Sequence, residues 1–226
     1  MINLLSTRLL STDQKKFLTN AGLHFQEYEA IRVHFKEFQL DDNFDHYIFT
    51  SQNAVKSFLK RESLYLKNKE LTKSCFCVGE KTKLLLEEND HKVIKMTKNA
   101  SELGYFISKN YKNDSFLFFC GNRRLNDLPE ILIKNKLHFK ELEVYQTILI
   151  PQQFSESFDG ILFFSPSGVQ SFTSANELGK STAFCIGDTT AREAALHTDS
   201  IVVADNPTIE SLLKRVTFHY NLSIEK

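Results

Sequence analysis

The chain has 226 residues, of which 42% are hydrophobic and 25% charged, with 28 basic and 28 acidic side chains. This length and balance favour two globular domains, and the lack of a basic excess argues against a nucleic-acid partner. No apolar run is long enough for a membrane helix, so no membrane partner is expected. The four cysteines form no C-x-x-C pair and three lie inside apolar runs. Such thiols are typical of a reducing compartment, which predicts a cytoplasmic protein.

Strands and helices alternate from the first residues onward. The predicted order is a strand at 2–5, a helix at 12–20, an alternating strand in LHFQEYEAIRV (23–33), a strand in YIFT (47–50), a helix, a strand in CFCVG (75–79), a helix, a strand at 92–95 and a helix. Apolar runs and period-two alternation mark the strands, and period-3.6 patterns mark the helices. This alternation indicates parallel sheets covered by helices on both faces.

The same order of elements then recurs, which predicts an internal duplication. LHFQEYEAI (23–31) matches LHFKELEVY (137–145), IFTSQNAVKSF (48–58) matches LFFSPSGVQSF (162–172), and INLLSTRLL (2–10) matches FLFFCGNRR (116–124), all at an offset of 114. FCVGEKT (76–82) matches FCIGDTT (184–190) at an offset of 108. The residues alone leave open whether the two copies form sequential or interleaved domains.

Small polar residues follow the predicted strands, where ligands bind in open parallel sheets. Examples are Ser51 after YIFT, Ser165 after ILFF, Thr82 after FCVG and Thr190 after FCIG. These residues are typical helix N-caps, and an array of helix N-termini is also suited to bind carboxylates or phosphates. The two interpretations are compatible.

The sequence contains no other motif for catalysis or cofactor binding. G-x-G-x-x-G, Walker, H-E-x-x-H and G-x-S-x-G sequences are all missing. We therefore expect no metal and no cofactor, and a site that binds and orients its ligand.

Several of these segments, taken in order, resemble the uroporphyrinogen-III synthase family over nearly the whole chain. They are FTSQNAV, VGEKT, GNRRLNDLPEIL, VYQT, FFSPSGVQSF, IGDTTAREA and ADNPT. The resemblance implies two interleaved flavodoxin-like α/β domains with parallel sheets, joined by a two-stranded β connector. Domain 1 would be 1–31 plus 152–226 and domain 2 would be 39–141. The connector strands would be 32–38 and 142–151, with the active-site cleft between the domains.

The resemblance also implies an activity. The family cyclises hydroxymethylbilane, a linear tetrapyrrole, with inversion of ring D and loss of water, giving uroporphyrinogen III for haem and other tetrapyrroles. The enzyme would be a cofactor-independent lyase that acts mainly by orienting its polyanionic substrate. We expect a monomer, because the duplication already supplies an internal pseudo-symmetric pair.

The resemblance assigns roles to individual residues. Tyr145, in VYQT, matches the tyrosine that the family places beside the leaving hydroxyl, whereas the other copy has Ile31. The residues expected to bind substrate are Ser51, Thr82, Ser165 and Thr190 by their side chains, Gly121 and Asn122 by backbone N–H groups, and Arg8 and Arg123 or Arg124 by charge. Asn53 stands where many members carry a basic side chain, and Glu80 and Asp188 place negative charge at two helix starts.

Two other functions fit parts of the pattern. A non-catalytic, two-domain cytosolic binder of a polyanionic small molecule would need the same helix N-termini but not Tyr145. A flavodoxin-type flavin protein would need aromatic residues beside a hydroxyl-rich phosphate loop, and the chain has no tryptophan.

Overall fold

The computed structural model describes residues 2–41, 43–65 and 73–222, without side chains for 62–65. The chain divides into two compact units. Unit 1 is Met1–Arg32 with Ile148–Lys226, and unit 2 is Val33–Thr147. The finer domain and connector boundaries given above stay a prediction.

Strands and helices alternate along the described chain as the sequence predicts. The elements are β1 (Asn3–Ser6), α1 (Thr12–Asn20), β2 (His24–Glu27), β3 (Ile31–Phe35), β4 (His46–Phe49), α2 (Gln52–Tyr65), β5 (Ser74–Val78), α3 (Glu80–Glu87), β6 (Val93–Thr97), α4 (Ala100–Asn110), β7 (Ser115–Gly121), α5 (Asp127–Lys134), β8 (His138–Leu149), β9 (Gly160–Phe163), α6 (Pro166–Thr173), β10 (Thr182–Cys185), α7 (Asp188–Ala194), β11 (Ile201–Val203) and α8 (Ile209–His219). Among the described residues, no helix combines the length and the apolar character that crossing a membrane requires.

The sheet of unit 1 has the strand order β11-β10-β9-β1-β2, and all its strands are parallel. Counted along the unit, this is the flavodoxin-like order, with its switch point between β1 and β9. Leu4 and Leu5 are both fully buried, although neighbouring strand residues face opposite ways. They belong to different core clusters. Both faces of the sheet are therefore covered, which explains the continuous apolar runs of the sequence.

The sheet of unit 2 has the order β3-β8-β7-β4-β5-β6. Strands β4 to β8 are parallel and repeat the arrangement of unit 1, with the switch point between β4 and β7. Strand β3 lies on the outer side of β8. The N–H of Lys36 donates to Val144 O (2.9 Å) and that of Ile150 donates to Ala30 O (2.8 Å), so β3 and β8 run antiparallel.

The strand registers confirm most of the predicted duplication and correct one part of it. Gly160 in β9 matches His46 in β4 at the predicted offset of 114, and Thr182 in β10 matches Ser74 in β5 at 108. Strand β1 is different. His46 lies opposite Phe116 and Gly160 lies opposite Leu4, so Leu4 matches Phe116 at an offset of 112. The predicted pairing of INLLSTRLL with FLFFCGNRR is therefore wrong by two residues. Two uninterrupted apolar runs match equally well in several registers, so the sequence does not fix their alignment.

The predicted strand 23–33 is also interrupted. After β2, the N–H of Tyr28 donates to Ser6 O (3.0 Å) and that of Ala30 donates to Thr7 O (3.2 Å). The carbonyl of Ala30 then accepts from Ile150. The chain thus leaves its first partner strand within three residues and continues as β3, whereas the matching segment of the second copy is the single strand β8.

Candidate active site

The carboxyl ends of β4 and β7 flank the switch point of unit 2, and four predicted site residues lie there. Ser51 follows β4, Gly121 ends β7, Asn122 follows it, and Tyr145 lies on the neighbouring strand β8. The register pairs Gly121 directly with Tyr145. The sheet therefore brings these four residues to one edge.

Tyr145 is half-buried and packs against the core of unit 2. Burial raises the pKa of its phenol, and a hydrogen bond with the Ser51 side chain acts in the opposite direction. Because the pKa is raised from an already alkaline value, the phenol is protonated at neutral pH. It can therefore donate a hydrogen bond or a proton.

Ser51 also holds the start of α2. Its hydroxyl oxygen accepts from the N–H of Asn53 (3.1 Å), and its carbonyl accepts from that of Ala54 (3.1 Å). The same side chain thus caps a helix and contacts Tyr145. The predicted helix-cap role of Ser51 is confirmed.

Asn122 contacts the strand that carries Tyr145. Its N–H donates to Tyr145 O (3.3 Å), and its side-chain oxygen accepts from the N–H of Thr147 (2.9 Å). We predicted that this N–H would be offered to the substrate. In this structure it is bonded to β8 instead, because the Asn122 backbone continues the β7–β8 pairing.

The two arginines after Asn122 differ in their surroundings. Arg124 forms an ion pair with Glu141 through Nε (3.0 Å) and Nη2 (2.6 Å) and donates to Asn126 (2.5 Å). Arg123 is exposed. The Arg123 side chain is therefore the more accessible of the two to solvent.

Unit 1 presents a second polar edge at its own switch point, formed by Arg8 after β1 and Ser165 after β9. The exposed guanidinium of Arg8 lies over the ring of Phe164, 5.4 Å from its centre. The Ser165 hydroxyl oxygen accepts from the N–H of Gly168 (3.1 Å) and caps α6. The predicted cap is confirmed, and a cation lies beside it.

Thr82 and Thr190 occupy matching positions in the two units. Each is the third residue of its helix, after Gly79 or Gly187, and its N–H donates to that glycine's carbonyl at 3.1 Å. The prediction that these threonines cap their helices is wrong, because the glycines take the N-cap positions. The two threonines are 5% and 1% exposed, so their hydroxyls offer little surface to a ligand.

A cavity of about 810 Å³ lies at the opposite, amino edge of the unit 1 sheet and contains none of the predicted site residues. Its lining includes Phe154, Asp159, Lys180 and Tyr220. Within 2–41, 43–65 and 73–222, no three His, Cys, Asp or Glu side chains are grouped as a metal ion would require.

The sequence reasoning missed how much of this edge serves to hold Tyr145. A side chain at Gly121 would overlap the ring, and Ser57, inside α2, donates to Val144 O (2.7 Å) from a buried position. A glycine directly after a continuous apolar strand was the available signal, since such a glycine often marks a close approach.

Two flavodoxin-like units, each with capped helix N-termini at its switch point, place the chain among the duplicated parallel α/β proteins. Residues 22–214 match the family model described as uroporphyrinogen-III synthase HemD. The chain therefore belongs to the uroporphyrinogen-III synthase family, which consists of cyclising lyases of haem biosynthesis.

Solved structures agree with this assignment at the level of the fold. The uroporphyrinogen-III synthetase of Helicobacter pylori is 22% identical and covers 97% of this chain and 100% of its own, with a TM-score of 0.71. A mutant uroporphyrinogen III synthase from the extremely thermophilic bacterium Thermus thermophilus is 13% identical, covers 98% of each chain and has a TM-score of 0.72. The wild-type Thermus enzyme, in another crystal form, has a TM-score of 0.57. No curated protein matches the chain.

Proposed function

We propose that this chain converts hydroxymethylbilane to uroporphyrinogen III and that Tyr145 assists departure of the hydroxyl group. The observation that supports this role is a protonated, half-buried phenol at the switch point of unit 2, held beside Ser51 and Gly121. A phenol in this state can donate to an oxygen that acquires negative charge as its C–O bond breaks. No stronger acid is needed, because the electron-rich pyrrole helps to expel the hydroxyl.

The remaining chemistry requires orientation. Once the terminal carbon is ionised, the substituted carbon of ring D attacks it, and the resulting spiro intermediate fragments and recloses with ring D inverted. The bilane also cyclises unaided to the uninverted isomer. The protein therefore has to hold the substrate so that inverted closure is faster, which is a task of positioning.

We further propose that the substrate carboxylates bind at the polar edges of both units. Exposed Arg8 and Arg123 supply positive charge, and Ser51 and Ser165 lie at helix N-termini, where N–H groups favour anions. Gly121 and Asn122 line the same edge. Thr82 and Thr190 stay in the proposal as residues that shape the first turns of α3 and α7, since both are buried.

The wider setting is also part of the proposal. The domains would be 1–31 plus 152–226 and 39–141, with 32–38 and 142–151 as connectors. The enzyme would act as a cytoplasmic monomer without a metal or an organic cofactor, and without nucleic-acid or membrane partners.

A coupled assay tests the activity and the role of Tyr145 together. Hydroxymethylbilane is generated in situ, the protein is added, and the oxidised uroporphyrin isomers are separated by chromatography. We expect isomer III in excess, and a loss of about 10²-fold in its rate for Tyr145→Phe, the lower end of general-acid effects. Tyr105→Phe is the matched control, because Tyr105 is 64% exposed on α4.

Two results would contradict the proposal at different points. Isomer I alone, from folded protein, would mean that the chain binds without catalysing, as a two-domain binder of a polyanionic small molecule would. Full isomer III activity in Tyr145→Phe would support the proposed enzymatic activity and would show that Tyr145 does not assist departure of the hydroxyl group.

A further inference from the structure

Strand β7 is longer than its counterpart in unit 1, and the extra residues lie beside Tyr145. Strand β1 ends at Ser6, which matches Phe118 at the observed offset of 112, whereas β7 continues through Phe119, Cys120 and Gly121. A register shift between Cys120 and Gly121 places Gly121 opposite Tyr145. The extension therefore brings Gly121 into register with Tyr145.

The space beside Gly121 is filled by the phenol ring of Tyr145. A Cβ atom built on Gly121 would lie 2.4 Å from Cζ, 2.5 Å from Cε2 and 2.8 Å from the phenol oxygen. Non-bonded carbon atoms are at their optimal separation near 3.5–4.0 Å, so none of these contacts is tolerable. Gly121 does not have the positive φ seen at Gly22, Gly79 and Gly179. Space, and not backbone conformation, is therefore what requires glycine here.

The backbone around Tyr145 is held more firmly than its ring. Asn122 bonds to the backbone of Tyr145 and Thr147, and the Ser57 hydroxyl bonds to Val144 O. The ring tip, by contrast, is the far end of a side chain that rotates about two bonds. A methyl group at position 121 would therefore displace the ring before it displaced the strand.

We infer that Gly121 is a positioning residue for Tyr145: its lack of a side chain leaves the space that the phenol ring occupies. This inference deepens the role proposed for Tyr145 and rests on it for its catalytic consequence. The location of the ring can be tested without any assay of activity.

The test combines Gly121→Ala with carbon-13 labelling of the tyrosine Cζ atoms. The chain has seven tyrosines, and the Tyr145 signal is the one that disappears in Tyr145→Phe. In Gly121→Ala we expect this signal to shift and the pKa of Tyr145 to fall toward its ordinary value, because burial is the main cause that raises it. We also expect kcat for isomer III to fall about as far as in Tyr145→Phe, with no further loss in the double variant.

Gly160→Ala is the matched control. A Cβ there would lie 2.5 Å from Cε2 of Phe184 and 3.0 Å from Cδ2 of Leu4, a comparable overlap inside the core of unit 1. It should lower the Tm and leave the Tyr145 signal and its titration unchanged. Comparison of the two variants therefore distinguishes displacement of the Tyr145 phenol from a general loss of stability.

Each remaining outcome also decides the inference. An unchanged Tyr145 titration in folded Gly121→Ala would overturn it, and so would additive losses of kcat. If Gly121→Ala does not fold, it is repeated in Tyr145→Ala: recovery of the fold supports the steric coupling, and continued failure overturns it. If Tyr145→Phe is fully active, the proposed mechanism fails while the titration still decides where the ring lies.

Discussion

At the scale of single residues, the two copies share a serine at the start of a helix, Ser51 or Ser165, but differ in the residue on the neighbouring strand, Tyr145 or Ile31. Ser51 and Ser165 occupy the same position in the two units, and both accept from N–H groups at a helix start. Ser51 lies beside Tyr145, whereas the residue that corresponds to position 145 in the other copy is Ile31. The hydroxyl of Ser51 therefore has a second effect, which is to lower the pKa of the Tyr145 phenol.

Removal of this hydroxyl changes the acidity of Tyr145 in a defined direction. The hydrogen bond with Ser51 lowers the pKa that burial raises, so Ser51→Ala should raise the pKa of Tyr145 further above its ordinary value. Titration of the carbon-13 signal of Tyr145 measures the change. Ser165→Ala is the control and should leave the titration as it is. An unchanged or lower pKa in Ser51→Ala would show that the two side chains do not interact.

At the scale of elements, α2 is tied to β8 by a buried hydrogen bond that its counterpart lacks. Ser57 donates to Val144 O at 2.7 Å from a fully enclosed position. Ser171 in α6 is the matching residue, 114 positions later, and among the described residues its buried hydroxyl makes no bond to a strand carbonyl. Its neighbour is the Tyr28 hydroxyl, whose pKa it lowers. The link from Ser57 thus stabilises the strand on which Tyr145 lies.

This difference predicts unequal costs for the same substitution. Ser57→Ala should lower the free energy of unfolding by about 0.5–1.5 kcal/mol, the net value of one hydrogen bond, because Val144 O keeps the bond that it accepts from the Lys36 N–H. Ser171→Ala should cost less, since its hydroxyl makes no bond to a strand carbonyl. Denaturant unfolding of both variants measures the two values. Equal losses would mean that the bond to Val144 adds nothing to stability.

The elements also show where sequence reasoning succeeded and where it failed. The position of α1 followed from its helical periodicity. The matches of β4 with β9 and of β5 with β10 followed from the polar residues after each strand, which fix the alignment of the two copies. The match of β1 with β7 was wrong by two residues, because apolar runs buried on both faces look alike in every register. The break between β2 and β3 was not visible either, since it depends on hydrogen bonds to β1 and β8.

The candidate site was predictable in its residue types and less so in their contacts. Tyr145, Ser51 and Gly121 were named from the motifs, and the structure brings them together at one strand edge. The backbone bond of Asn122 and the overlap between a side chain at 121 and the phenol were not predictable. Both depend on the shifted pairing of β7 with β8, which no short motif encodes.

At the scale of the whole molecule, both units bury thiols in sheets that are covered on both faces. All four cysteines are buried. Burial raises the pKa of Cys77, in unit 2, and of Cys185, in unit 1, to about 12 from the ordinary 9.0. It raises that of Tyr28 to about 12 from 10.0. The folded protein therefore keeps protons that the unfolded chain releases in alkaline solution.

The consequence is a loss of stability at high pH. Because the folded pKa of each thiol lies above its unfolded value, its contribution is fully present below pH 9 and is lost as the pH rises to about 12. Each such group should lower the free energy of unfolding by at most about 1.4 kcal/mol per pH unit within that window. Denaturant unfolding from pH 7 to 12 should give a shallower decline for Cys77→Ala/Cys185→Ala than for the parent chain. Tyr105→Phe, which alters an exposed side chain, should keep the parent slope. If the free energy of unfolding of the double variant fell as steeply with pH as that of the parent chain, ionisation of the buried thiols would not be the cause of alkaline unfolding.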